Sequence, residues 1–261
     1  MGSAASTIRK HENSISDKCV KFCQCFAGLS AKSRSARANR VQAWMALDNN
    51  GNGYVSLAET GKWIQNSLIN FLGEEKTAKE IYHAFYPSYI RSFKDAADCG
   101  LKRKITGKAD TDDYVQRGEF RVLCAYLCLY AVMFDAFSLI DGYNPSLSEK
   151  DNEGVDEEDD RKVSPKEWEA AYGEFKSSPF VALKMCAASK DLAEAAFSEM
   201  DLDGKGAVLL SEFCEWVKSV EIKMGTDFGD ILALDADQAK QASTTGIQKK
   251  MADMGKYSYY S

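Results

Sequence analysis

The chain has 261 residues, with 33 Lys and Arg against 39 Asp and Glu, so its formal net charge is −6. A hydrophobic fraction of 45% is typical of a soluble globular protein with one or two domains. Only two histidines are present, which argues against a Ser-His-Asp hydrolase or a multi-histidine metal site. The sequence also lacks a G-x-x-x-x-G-K-[ST] phosphate loop, and we do not expect an enzyme.

The first part of the chain is basic. Residues 1–40 hold eight bases and two acids, so this segment carries +6 and the remainder −12. Because the segment is rich in Ser, Ala and Lys, residues 1–36 are predicted to form a flexible basic arm. A basic arm on an acidic body suits an anionic membrane surface better than nucleic acid as a partner. A solvated tail is the alternative.

The N-terminus has the pattern of an acylation site. Met1–Ser6 fits M-G-x-x-x-[ST], which predicts myristoylation of Gly2, with a chance Gly-Ser start as the alternative. One myristoyl chain binds a membrane only marginally, so a second signal is needed. The positive charge of the arm is one such signal. Palmitoylation of cysteines in the arm is another, and the candidates are Cys19, Cys23 and Cys25. The spacing of these cysteines does not suit a zinc site. Without an export signal, we expect reduced cysteines and a cytoplasmic protein.

The first strong motif is a loop from Asp48 to Glu59, here called loop one. It fits all twelve positions of the EF-hand calcium pattern, D-x-[DN]-x-[DN]-G-x5-E. Calcium takes roughly six to eight oxygen ligands, which these positions supply from side chains, one backbone carbonyl and a bridging water. Gly53 at position 6 allows the sharp turn. The candidate ligands are Asp48, Asn50, Asn52, Tyr54, Ser56 and Glu59.

A second loop, here called loop four, lies between Asp201 and Glu212 near the far end of the chain. Its candidate ligands are weaker as a set because Lys205 at position 5 offers no oxygen and adds a positive charge. Lys205 either points outward while water takes its place, or it silences the site. The candidate ligands of loop four are Asp201, Asp203, the carbonyl of Ala207, and Glu212.

EF-hands pair through short strands, so two further hands are expected. Glu119 and Glu167 are each followed by apolar residues at helical spacing, and each has a valine at loop position 8, Val115 and Val163. Their loops exceed twelve residues by ten in hand two and by 15 in hand three. We predict that both keep their helices and strands without a metal site. The acidic run 153–160 in hand three is interpreted as a solvated loop, with calcium binding there as the alternative.

These elements predict an all-α fold of two lobes, each a pair of EF-hands joined by a short two-stranded ribbon. The lobes are assigned to residues 37–130 and 131–225, followed by a C-terminal tail, 226–261, without a readable motif. The uncharged run Val122–Phe134 has 13 residues, whereas a membrane span needs about 20. It predicts a buried helix over 120–140 that joins the lobes within a shared core.

The chain resembles the flagellar calcium-binding proteins (calflagins) of trypanosomatids more than the neuronal calcium sensors, which also combine four hands with an acylated N-terminus. The segments that carry the resemblance are Gly118–Asp135 and Ala196–Val220, within a similarity over about 40–225. The resemblance implies calcium as the bound ion, a lipid anchor and a place at the flagellum or its membrane. The acidic insertion in hand three departs from the family, so its calcium stoichiometry does not carry over.

Two functional hypotheses follow. In the first, the protein is a calcium sensor, and the calcium-bound hand opens an apolar groove for a protein target or a membrane. Loop one has two acids among its ligands, which indicates a dissociation constant of roughly 10⁻⁷–10⁻⁵ M or weaker. In the second, the protein is a structural axonemal or flagellar component that uses mostly silent hands as a scaffold. No motif identifies the protein target.

Overall fold

A computed structural model describes residues 4–10, 14–99, 114–141 and 161–233. Within these ranges the fold is all-α with two short antiparallel ribbons, which confirms the predicted class. The helices of the first half are α1 (Ala4–Lys10), α2 (Asp17–Ser30), α3 (Arg34–Leu47), α4 (Leu57–Leu72), α5 (Glu75–Ala84), α6 (Tyr86–Ala97) and α7 (Phe120–Ile140). Those of the second half are α8 (Pro165–Ala171), α9 (Val181–Cys186), α10 (Lys190–Met200), α11 (Leu210–Met224) and α12 (Asp227–Leu232). A 3-10 segment, Tyr172–Lys176, follows α8.

The two ribbons pair the hands as the sequence predicts. In the first lobe β1 (Tyr54–Val55) pairs with β2 (Val115–Gln116), and in the second β3 (Lys162–Val163) pairs with β4 (Val208–Leu209). The valines at loop position 8 lie opposite each other, Val55 against Val115 and Val163 against Val208. All four are buried, so each ribbon places its loops back to back above an apolar core.

The long helix α7 belongs to both lobes. It leaves hand two after Glu119 and leads into hand three at Asp141. From Val122 to Met133 no residue is more than 1% exposed. Within the described ranges, α7 alone has the length and apolar composition to cross a membrane, but 83% of its most apolar 18-residue segment is buried inside the protein. A core helix passes the same test, and the predicted buried helix shared by the two lobes is confirmed.

The predicted flexible arm is wrong for residues 17–30. This stretch is α2, which packs lengthwise against α7. Phe22 and Phe26 are fully buried; their rings lie 4.9 Å from Phe85 and 5.3 Å from Trp63 between centroids. The physical reason is that apolar residues recur at helical spacing in this stretch and form one buried face of the helix. The overall composition of the segment, which is rich in Ser and Lys, does not reveal this spacing. The residues of this face are Cys19, Phe22, Cys23 and Phe26.

The start of the predicted C-terminal tail also belongs to the folded body. Helix α12 packs against α11 and α7, with Phe228, Ile231 and Leu232 buried. The hydroxyl of Tyr126 in α7 donates to the carbonyl of Leu232 at 3.2 Å. Lys10 of α1 forms an ion pair with Asp227. Both ends of the described chain therefore meet on one side of α7.

Candidate metal centres

Loop one is held in a tight turn by its own side chains. The carboxylate of Asp48 accepts hydrogen bonds from the backbone N–H groups of Asn52 at 3.1 Å and Gly53 at 3.0 Å. Gly51 and Gly53 have φ angles of 68° and 82°, a left-handed conformation that favours glycine. The pattern of glycine and Asp48 in the sequence therefore corresponds to a real turn in which the chain wraps around the Asp48 carboxylate.

The glutamate at position 12 closes loop one. Its carboxylate accepts from the backbone N–H of Ser56 at 2.8 Å, and the Ser56 hydroxyl accepts from the backbone N–H of Glu59 at 3.3 Å, a reciprocal capping box. The side-chain amide of Asn50 donates to Glu59 at 3.0 Å. Positions 1, 3 and 12 thus face one another. Their oxygens are the hard donors that calcium prefers, so the residues present fit this ion.

Loop four repeats this geometry despite its lysine. The carboxylate of Asp201 accepts from the backbone N–H groups of Lys205 at 3.0 Å and Gly206 at 2.9 Å. Glu212 accepts from the backbone N–H of Leu209 at 2.8 Å. These are the same loop positions, with nearly the same distances, as in loop one. The backbone at position 5 therefore behaves identically whether the residue is Asn52 or Lys205.

Three carboxylates converge in loop four. Single oxygens of Asp201, Asp203 and Glu212 all lie within 4.8 Å of one another, close enough to hold one metal ion. Loop one has two carboxylates and completes its set with the amides of Asn50 and Asn52. The structure thus brings together the side-chain ligands predicted at positions 1, 3 and 12 of both loops.

Lys205 takes part in loop four through its side chain. Its ammonium lies 2.6 Å from Oδ2 of Asp203, while the lysine side chain is 78% exposed. The hydrogen bond from Lys205 lowers the pKa of the Asp203 carboxyl, and Asp203 in turn raises the pKa of Lys205. Lys205 therefore points outward and also occupies an oxygen of a candidate ligand. A metal ion entering loop four has to displace this tethered cation from Asp203.

All four hands share one contact that the sequence analysis did not anticipate. In hands two and three the backbone N–H at position 9 donates to the position-12 carboxylate, from Gln116 to Glu119 at 2.8 Å and from Ser164 to Glu167 at 2.7 Å. The S-x-x-E capping pattern could have revealed it in hands one and three. This glutamate therefore holds the start of the exit helix in all four hands, and in loops one and four it is also a candidate metal ligand. The remainder of loops two and three, with the acidic run 153–160, lies outside the described residues.

Two of the three predicted palmitoylation sites are inaccessible in this fold. Cys19 and Cys23 are fully buried between α2 and α7, and Cys23 donates to the carbonyl of Cys128 at 3.5 Å. Acylation requires an accessible, nucleophilic sulfur, so the proposal of lipidated cysteines is corrected for these two. Cys25 is only partly buried, and burial raises the pKa of its thiol, which disfavours the thiolate. Gly2 lies outside the described residues. All eight cysteines are free thiols, as predicted.

Comparison with known proteins agrees with this geometry. No family model matches the chain. Among curated proteins, the chain is 24% identical over 196 residues to the flagellar calcium-binding protein of Trypanosoma cruzi. The match covers 75% of this chain and 77% of the relative, so it spans both lobes. The chain is thus a distant relative of a trypanosomatid flagellar calcium-binding protein, which confirms the resemblance to the calflagins.

Proposed function

We propose that this protein binds calcium through loops one and four and acts in the flagellum. One observation carries the proposal: two loops in different lobes hold the position-1, position-3 and position-12 side chains in the same arrangement. The name of the T. cruzi relative supports both calcium binding and the flagellar location, and it supports the expectation of a protein without enzymatic activity. When bound, calcium supplies a divalent charge that neutralises the converging carboxylates.

The two loops differ in expected affinity. Loop one has no cation among its ligands, whereas in loop four the Lys205 ammonium already neutralises part of the charge of Asp203. Loop four has three ligand carboxylates against two in loop one, and this larger negative charge favours tighter calcium binding in loop four. The lysine cancels one of the three charges of loop four, which leaves two in each loop, and loop one has in addition the side-chain oxygen of Asn52 at position 5, where Lys205 offers none. Because calcium affinity rises with the number and charge of its oxygen ligands, we assign the tighter site to loop one.

The finer proposal is a lipid-anchored calcium sensor. A myristoyl group on Gly2 would supply the anchor, and the exposed bases of α2 and α3 would supply the second membrane signal that the buried cysteines do not. Glu59 and Glu212 each lie in the first turn of the helix that leaves their loop, α4 and α11. A change in the position of either carboxylate therefore acts directly on a helix of the core.

Calorimetric titration of calcium into the full chain tests the metal sites. Glu59→Gln and Glu212→Gln each remove one ligand charge, and Glu167→Gln is the matched control because Glu167 makes the same capping contact in hand three. We expect Glu59→Gln to abolish the tighter event, Glu212→Gln to abolish the weaker one, and Glu167→Gln to leave both. Absence of binding below roughly millimolar calcium would contradict the proposal.

The second candidate is a structural flagellar protein that uses its hands as a scaffold. It is favoured by the position-12 contacts, which hold all four hands in shape through hydrogen bonds within the chain. Binding of an apolar dye with and without calcium separates the two. A sensor exposes apolar surface when calcium binds, whereas a scaffold gives the same dye signal in both states.

A further inference from the structure

The C-terminal end of α2 is covered by two arginines from different helices. One terminal nitrogen of Arg40, on α3, donates to the carbonyls of Leu29 at 2.6 Å and Ala31 at 2.7 Å. Nε of Arg121, at the start of α7, donates to the carbonyl of Ser30 at 2.9 Å. Since these carbonyls belong to three consecutive residues, the two guanidinium groups are neighbours. Arg37 lies one turn before Arg40 on the same face of α3.

Among the described residues, this group of arginines has no carboxylate partner. In the described parts of the chain, no carboxylate lies within ion-pair distance of Arg37, Arg40 or Arg121. Residues 18–47 contain six bases and no acid. Burial lowers the pKa of both Arg121 and Arg40, and the neighbouring charge of Arg40 lowers the pKa of Arg121 further. Both groups nevertheless stay charged, because arginine does not deprotonate in proteins.

Most of the donors of this group are unused. A guanidinium has five N–H donors, and only three of the ten on Arg40 and Arg121 make hydrogen bonds to the described residues. Both side chains are half-buried and Arg37 is exposed, so all three arginines are partly accessible to solvent. Planar guanidinium forks match the oxygens of a phosphate, which can accept two parallel hydrogen bonds from each.

We propose that Arg37, Arg40 and Arg121 form a binding site for a phosphate monoester, carried either by a lipid headgroup or by a small soluble phosphate. A phosphate supplies the missing negative charge and the acceptors that the three guanidiniums lack. The site is separate from the metal loops: Arg40 precedes Asp48 by eight residues along α3, about 12 Å of helix. It does not require calcium, and it deepens the proposed membrane signal of α3 by naming the residues and the ligand chemistry that would carry it.

Two sets of binding measurements on the full chain test the site, both with calcium chelated so that the metal proposal plays no part. Flotation compares phosphatidylcholine vesicles that contain phosphatidylserine with vesicles that contain phosphatidylinositol bisphosphate at equal total charge. Calorimetry with inositol trisphosphate tests a soluble ligand. Preference for the bisphosphate vesicles assigns the lipid headgroup, whether or not inositol trisphosphate binds, and binding of inositol trisphosphate without that vesicle preference assigns a soluble phosphate. Equal binding to both kinds of vesicle and no binding of inositol trisphosphate would overturn the site.

Variants then distinguish binding at these three arginines from general attraction to the positive charge of the protein surface. We expect Arg37→Gln and Arg40→Lys to weaken binding of the phosphate probe about tenfold. Lys62→Gln, which removes one positive charge from the exposed face of α4, is the control, and we expect a change below about twofold. Arg37 makes no contact that holds α2, so its variant tests the site even where Arg40→Lys unfolds the chain. Equal losses in Arg37→Gln and Lys62→Gln would refute the proposal.

Discussion

Asp135 of α7 accepts hydrogen bonds from both the backbone N–H of Ser16, at 2.8 Å, and the Ser16 hydroxyl. Ser16 is the N-cap of α2, so a carboxylate 119 residues away in the chain fixes the start of that helix. A negative charge at a helix N-terminus also interacts favourably with the helix dipole. With Arg40 and Arg121 at its other end, α2 is held at both termini by charges of the matching sign.

This contact predicts a loss of stability when the acceptor is removed. Asp135→Ala is expected to lower the free energy of unfolding by about 1–3 kcal/mol, because the Ser16 donors lose their partner. Urea unfolding followed by circular dichroism measures the change. Gln24→Ala, at an exposed position in the middle of the same helix, serves as the control and is expected to stay within about 0.5 kcal/mol of the parent protein.

The same residue predicts a pH dependence. Burial raises the pKa of Asp135 above its ordinary value of 3.8, so the folded protein holds this proton more tightly than the unfolded chain. The contribution of Asp135 to stability is therefore greatest below about pH 4 and falls as the pH rises through the raised pKa. Asp135→Asn removes this dependence. We expect the stability of the parent protein relative to Asp135→Asn to fall as the pH rises above about 4, and a constant difference would contradict the assignment.

Lys205 predicts a gain in calcium affinity. Lys205→Asn replaces the tethered ammonium by a neutral oxygen donor and releases Asp203, so calcium binding to loop four is expected to tighten about tenfold. Lys223→Asn, which removes a lysine from the far end of α11, is the control and should leave the titration unchanged. An unchanged affinity in Lys205→Asn would show that the ion pair does not compete with the metal.

The close approach of α12 to α11 at Gly229 predicts a loss of stability when a side chain is added there. A Cβ atom on Gly229 would lie 2.0 Å from the backbone carbonyl oxygen of Glu221, so Gly229→Ala has to push the two helices apart. We expect a loss of about 1–3 kcal/mol or more in the free energy of unfolding. Gly28→Ala is the matched control, since its Cβ would meet nothing within 4 Å, and it should stabilise α2 by about 0.5–1 kcal/mol. Equal effects of the two substitutions would argue against the close helix contact.

Phe26 predicts that the N-terminal segment contributes to the core. Phe26→Ala is expected to cost about 3–5 kcal/mol, because the ring is fully buried against Trp63. Gln24→Ala, on the exposed face of the same helix, should change stability by less than about 0.5 kcal/mol. Thermal unfolding of both variants measures the difference. A flexible arm, by contrast, would make Phe26→Ala as harmless as the control.

The features that could be predicted are those specified by residues close together in sequence. The twelve-position loop patterns predicted the turns around Asp48 and Asp201, and the valine at position 8 predicted the pairing of Val55 with Val115. The apolar run Val122–Phe134 predicted the core helix, because a continuous apolar segment can lie in water only at great cost. Each of these signals is contained within about a dozen residues.

The features that were missed depend on distant partners. The fold of α2 depends on Asp135 and Arg121, which lie on a helix about a hundred residues further along the chain. The cysteines of α2 were interpreted as palmitoylation sites, although Cys19 and Cys23 occupy the helix positions that face α7. Lys205 was expected either to point outward or to block its loop, and the structure shows one side chain in both roles. Local sequence does not specify such arrangements because tertiary packing selects them.

The double role of α7 determines how the two lobes can move. The helix begins one residue after Glu119 of hand two and ends one residue before Asp141 of hand three. Its 21 residues span about 30 Å without an intervening linker. A change of tilt at one end of α7 would therefore move the lobe at its other end as well. The two lobes are mechanically coupled through a single continuous helix.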